Sequence, residues 1–145
     1  MVHKSKSLIR VSFLLLILIS SCCIFKTDSP DLRQTGQSFP STVNASQIFN
    51  MSFTIANISS GDCSASASNQ CSCVLRMVNR ATGFLQVNNS YTLNSLGDNE
   101  SNTITASVNI GTPGTYDFSF TIDQNNTAGQ SNRNNDVYTG TVIVN

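Results

Sequence analysis

Apolar and polar residues alternate one for one through three stretches of this chain, and that period restricts the fold more than any other feature. Phe49, Met51, Phe53 and Ile55 are separated by Asn50, Ser52 and Thr54. Ile104, Ala106, Val108 and Ile110 alternate with Thr105, Ser107 and Asn109, and Tyr116, Phe118, Phe120 and Ile122 with Asp117, Ser119 and Thr121. Successive side chains of a strand point to opposite faces, so a period of two collects the apolar set on one side. No stretch longer than a turn or two keeps a helical stripe. Shorter apolar runs at 74–78, 84–87, 91–93 and 137–144 raise the expected number of strands to about seven, with a short edge strand around Leu32. Turn-forming segments separate them: Ser59-Ser-Gly-Asp62, Leu96-Gly-Asp98, Gly111-Thr-Pro-Gly114 and a long loop over 125–135. The expected class is all-β, an antiparallel sandwich.

The N-terminus carries an address. Lys4, Lys6 and Arg10 stand without an acidic residue, followed by an apolar run over 11–19. Crossing a bilayer takes about 20 apolar residues, so this run has the length of a secretory h-region. Next comes Ile19-Ser20-Ser21-Cys22, which resembles the bacterial lipobox. In such signals the cysteine thiol is alkylated with diacylglycerol and the chain is cut just before it. The expected organisation is a lipoprotein signal peptide over 1–21, the lipidated Cys22 and a tether over 22–38, and the sandwich over 39–145. From Cys22 onward, five basic residues face eight acidic ones, an excess of three negative charges. That balance leaves no basic footprint for a nucleic acid. The expected membrane contact is therefore the N-terminal lipid, at a bacterial outer membrane or cell surface. The alternative is a soluble secreted carbohydrate- or protein-binding module released by an ordinary signal peptide.

Two groups of motifs resemble one family. Ser29-Pro-Asp-Leu32, then Phe53-Thr-Ile-Ala-Asn57 before a glycine-containing turn, is similar to the opening of the cell-adhesion-related domain found in bacteria. Gly114-Thr-Tyr-Asp-Phe-Ser-Phe-Thr-Ile-Asp123 and the asparagine cluster after it are similar to its closing half. That family ends in a strand, an Asp, a loop with Glu and a double Asn, and a last strand. Here the double Asn is Asn134-Asn135, and Gln130 and Arg133 stand where the loop's glutamates are usual. The resemblance covers residues 29–145. It implies a seven-stranded immunoglobulin-like module, a non-catalytic part of surface proteins.

The candidate functional residues are few. The one histidine, His3, falls in the signal segment, so the mature chain lacks the base of a Ser-His-Asp or Cys-His nucleophile. No cofactor fingerprint is present, and the expectation is a non-enzyme without cofactors. In an exported protein the remaining cysteines favour disulfides. Cys63 with Cys71 or Cys73 is the candidate bond, worth about 2.5–3 kcal/mol by loop-closure entropy. Cys71 and Cys73 face the same way on one strand and are poorly placed to bond each other, so one of the four cysteines stays unpaired or joins Cys23. Thiolates at Cys63, Cys71 and Cys73 could also hold a metal, though no histidine completes the set. Asp123, Asn125 and Asp136 form a thin calcium candidate, but Ala128 stands where a calcium loop needs glycine and Asn134 where it needs a bidentate glutamate. The plainer reading is that Asp123, Asn125 and Asn126 order the loop by side-chain-to-backbone bonds. Asp98 and Glu100 read as a solvated tip. Tyr116, Phe118 and Phe120 read as core, with Tyr116 placed for a tyrosine corner.

Overall fold

A computed structural model describes residues 29–59 and 71–145. The signal segment, Cys22, Cys23 and Cys63 lie outside the described residues. Eight strands follow in order: β1 (Leu32–Ser38), β2 (Thr42–Val43), β3 (Ile48–Asn57), β4 (Cys71–Asn79), β5 (Leu85–Leu93), β6 (Ser101–Asn109), β7 (Gly114–Thr121) and β8 (Val137–Val144). They form a three-stranded sheet, β1-β3-β6, and a five-stranded sheet, β2-β8-β7-β4-β5. Every pairing is antiparallel except β2 with β8.

The period of two is realised as expected. Phe49, Met51, Phe53 and Ile55 of β3 are buried beside Ile104, Ala106 and Val108 of β6, their partners across the small sheet. Leu75 and Met77 of β4 meet Phe120 and Phe118 of β7 across the large one. Phe53 bridges the sheets, its ring stacked on Phe120 at 4.1 Å between centroids and 6° between planes. Tyr116 is buried, and its hydroxyl donates to the Thr112 carbonyl at 2.9 Å, forming the tyrosine corner.

Gly140 of β8 is paired with Phe118. A Cβ there would lie 2.5 Å from Phe118 Cε1 and 3.2 Å from Phe39 Cζ, so the glycine is the space that the Phe118 ring occupies. Phe39 then closes on Phe118 edge-to-face at 4.8 Å.

Two strands extend beyond the sequence pattern. β1 is the edge strand expected around Leu32, and it runs on to Ser38 through the rest of the stretch expected to be tether. β5 runs unbroken where two short runs are legible, because Asn89 occupies an inward-parity position yet stays exposed at the sheet edge, within 3.4 Å of the Tyr91 hydroxyl. The strand directions also define two poles. β1 and β8 begin and β3 and β7 end at one, and Leu32 pairs with Asn57 and Thr121 with Val137 there. The turns 44–47, 80–84 and 110–113 lie at the other.

Candidate functional site

At the first pole the 122–136 loop folds back on itself. Asp123 adopts a left-handed backbone (φ 44°), as do Asn126 (φ 53°) and Gly129 (φ 63°). Aspartate and asparagine tolerate that region by bonding their own backbone. Asp123 is fully buried, and its carboxylate accepts the Thr127 amide at 2.9 Å, the Thr127 hydroxyl at 2.7 Å and the Ala128 amide at 3.0 Å. Asn126 Oδ1 accepts the Gln130 amide at 3.2 Å. The loop is thus ordered by side-chain-to-backbone bonds, although Asn125 points to solvent.

Asp136 closes the loop. Its backbone carbonyl accepts the Ile122 amide, and its buried Oδ2 accepts Arg133 Nε at 3.1 Å and Gln130 Nε2 at 3.3 Å. Burial holds this carboxyl above its ordinary value, against the downward pull of Arg133 and Gln130. Arg133 also donates to the Asp123 carbonyl at 3.1 Å. The structure therefore brings Asp123 and Asp136 together and leaves Asn125 apart. Among the described residues no three His, Cys, Asp or Glu side chains are placed to hold one metal ion.

The same pole holds residues that the sequence reading missed. Asn57 is fully buried, accepting from the Asp31 amide and from Ser59 while donating to the Leu96 carbonyl at 3.3 Å. Gln130 accepts the Leu32 amide at 2.9 Å, and Asn135 donates to Asp31 at 3.0 Å. The signal for Asn57 was legible: it continues the inward parity of 49, 51, 53 and 55. Gln130 and Asn135 lie in irregular chain, where no period marks burial.

Cys71 and Cys73 of β4 are buried free thiols on one side of the strand. The Cys71 thiol donates to the Cys73 sulfur, and this bond together with burial pushes Cys71 far upward; Cys73 is lowered by the same bond and by the Asp123 backbone amide. The candidate bond from Cys63 has one end outside the described residues, and at its other end both thiols are free. Glu100 accepts the Gly97 amide at 2.7 Å, so it fastens its turn.

A second place is open to solvent. On the outer face of the large sheet, β4, β7 and β8 frame a concavity of about 400 Å³ lined by Arg76, Val78, Asp117, Ser119, Thr139 and Thr141. Arg80 holds Asp117 in a two-pronged ion pair, and Thr141 bonds both. Arg80 and Asp117 are half exposed, so the pair fixes side-chain positions more than it stabilises. Arg76 has no ion-pair partner among the described residues, its Nε reaching only Asn88 at 3.3 Å. One free guanidinium, three hydroxyls and an aliphatic floor suit a ligand held by hydrogen bonds.

A family model for CARDB matches residues 29–140. The chain is similar in fold to a CARDB domain of Pyrococcus furiosus solved in complex with di-metal ions, with 24% identity, TM-score 0.58, and coverage of 82% of this chain and 96% of that one. A solution structure of the CARDB domain of the same protein gives 25% identity and TM-score 0.60, covering 81% of this chain and 97% of that one. A domain from a Methanosarcina acetivorans protein named for the cell surface gives 22% identity and TM-score 0.55 over 81% of this chain and 93% of that one. A Listeria innocua β-glucosidase shares the fold over 16% of its own length only, at 14% identity. No curated protein matches.

Proposed function

The chain belongs to the CARDB family, and from that premise we propose that it is a non-enzymatic module of the bacterial cell envelope, lipid-anchored through Cys22 and acting by binding or adhesion. The observation that carries this reading is the order of signals along the chain. Ile19-Ser-Ser-Cys22 stands seven residues before Ser29, where the family match begins, so lipid and sandwich are separated by little more than a spacer. The surface assignment of the Methanosarcina protein supports the same compartment.

Binding falls most naturally to the concavity over β4, β7 and β8, where Arg76 is the cation without a carboxylate partner. The pole around Asp123 and Asp136 is a structural fastening. It presents no open ligand set for ions, because the Asp123 carboxylate already accepts from Thr127 and Ala128 and Asn125 is exposed. Metabolic labelling with palmitate tests the anchor: label at Cys22, abolished in Cys22→Ala, is the expected result. An unlabelled, freely secreted protein would establish the ordinary signal peptide instead.

A further inference from the structure

We propose that β5 is a homodimerisation strand, joining two copies of this chain edge to edge into one continuous sheet. β5 is the outermost strand of the five-stranded sheet, so one side of its backbone has no strand partner. Exposed edges are ordinarily guarded by charge, proline, bulges or brevity. β1 carries Arg33, Gly36 and a register shift between Gln34 and Gly36, and β2 has two residues. Over nine residues, Leu-Gln-Val-Asn-Asn-Ser-Tyr-Thr-Leu, β5 has neither charge nor proline, and its single irregularity lies at its first turn, opposite Met77 and Val78.

The partner is identified by the strand's own symmetry. Antiparallel pairing of two copies about a twofold axis through Asn89 sets Asn88 against Ser90, Val87 against Tyr91 and Gln86 against Thr92. Polar meets polar and apolar meets apolar at every step, as an isologous contact requires. The neutral edge β6, beside β5 on the same flank, is self-complementary too, since an axis through Ala106 sets Ile104 against Val108 and Thr105 against Ser107, but it carries no exposed large hydrophobic side chain. Phe84 and Leu85, 65% and 44% exposed at the start of β5, also gain cover from a copy laid alongside. The strand itself carries no charge to repel a second copy, and the neighbouring Arg76 is engaged with Asn88.

Asn89 lies on the axis and faces itself, which gives the test its form. The full chain in detergent, followed by density-matched sedimentation equilibrium, is expected to dimerise. Asn89→Lys and Asn89→Asp each place like charges opposite one another and are expected to raise the dissociation constant at least about tenfold. An equal mixture of the two variants is expected to restore the dimer as a heterodimer. Because Asn89 is exposed, both variants should keep the wild-type melting temperature, which separates a lost contact from a lost fold. A wild-type monomer at millimolar concentration, dimers that survive both substitutions, or a mixture that stays monomeric would each overturn the proposal.

Discussion

Gly140 and Asp136 show how much of this domain rests on single atoms. At Gly140 the missing Cβ is what lets Phe118 lie flat against β8, boxed by Phe39 and Phe53. Gly140→Ala is expected to cost about 1–3 kcal/mol through overpacking, which lowers the melting temperature on the order of 5–15 °C for a domain of this size. Phe118→Leu in the same chain should recover part of that loss, since the two sites share one space. Asp136 makes its point through pH. Its carboxyl is raised by burial, so the folded state holds the proton more tightly than the unfolded chain. The contribution is full below the ordinary value of 3.8 and is lost as pH rises through the raised value. Asp136→Asn, neutral throughout, is expected to melt no lower than wild type near neutrality and to flatten the rise in stability on mild acidification. Chemical denaturation across that window checks it; a variant that is weaker at neutrality with an unchanged slope would show that the Arg133 bond outweighs burial. Asp117 has the opposite sign, lowered by Arg80 and Thr141, but both ends of that pair are in water.

Strands and loop were not equally legible. β3, β6 and β7 declare themselves because each buries one face under water on the other, and that contrast writes the period into the sequence. β5 conceals itself because an edge strand needs no apolar residue at every inward position, so Asn88-Asn-Ser90 interrupts the pattern without interrupting the ladder. β1 shows itself at Leu32 but hides its length behind Gly36 and its register shift. In the 122–136 loop the role of Asp123 was readable from residue type, since a short acidic side chain among asparagines favours bonds to nearby amides. The pairing of Gln130 with β1 was not, because it spans almost a hundred residues of chain and depends on tertiary packing. The concavity was likewise invisible, being set by the lateral neighbours Arg76, Ser119 and Thr139 on three strands. Asp123→Ala should remove the carboxylate that accepts from the amides of Thr127 and Ala128. The expected cost is about 1–3 kcal/mol, with faster hydrogen exchange at those two amides. Calcium and chelator should leave the wild-type melting temperature unmoved. A bound ion at a hundredfold excess over its dissociation constant would add about 2.7 kcal/mol, so a calcium-dependent rise that disappears in Asp123→Ala would make this loop a metal site.

For the molecule as a whole, the proposed anchor and the sandwich can be separated by one atom. Cys22→Ala removes the sulfur that would carry the lipid and touches nothing in the described sandwich. The variant is expected to move from the membrane pellet to the soluble fraction while keeping its β spectrum and melting temperature. Retention in the pellet after a high-salt wash would show that something other than lipid holds it. The placement of the chain's first described residues then has a mechanical consequence. Pro30, Asp31 and Leu32 are fastened to Ser131, Asn135 and Gln130 at one pole, whereas the last residue, Asn145, is bonded to Val43 and Ala45 at the other. Tension applied between a tethered N-terminus and anything gripping the far turns would run along β1, parallel to its ladder with β3. Loaded in that direction, the rungs from Leu32 to Ser38 share the force and yield together, where a pull across the strand would open them singly like a zip.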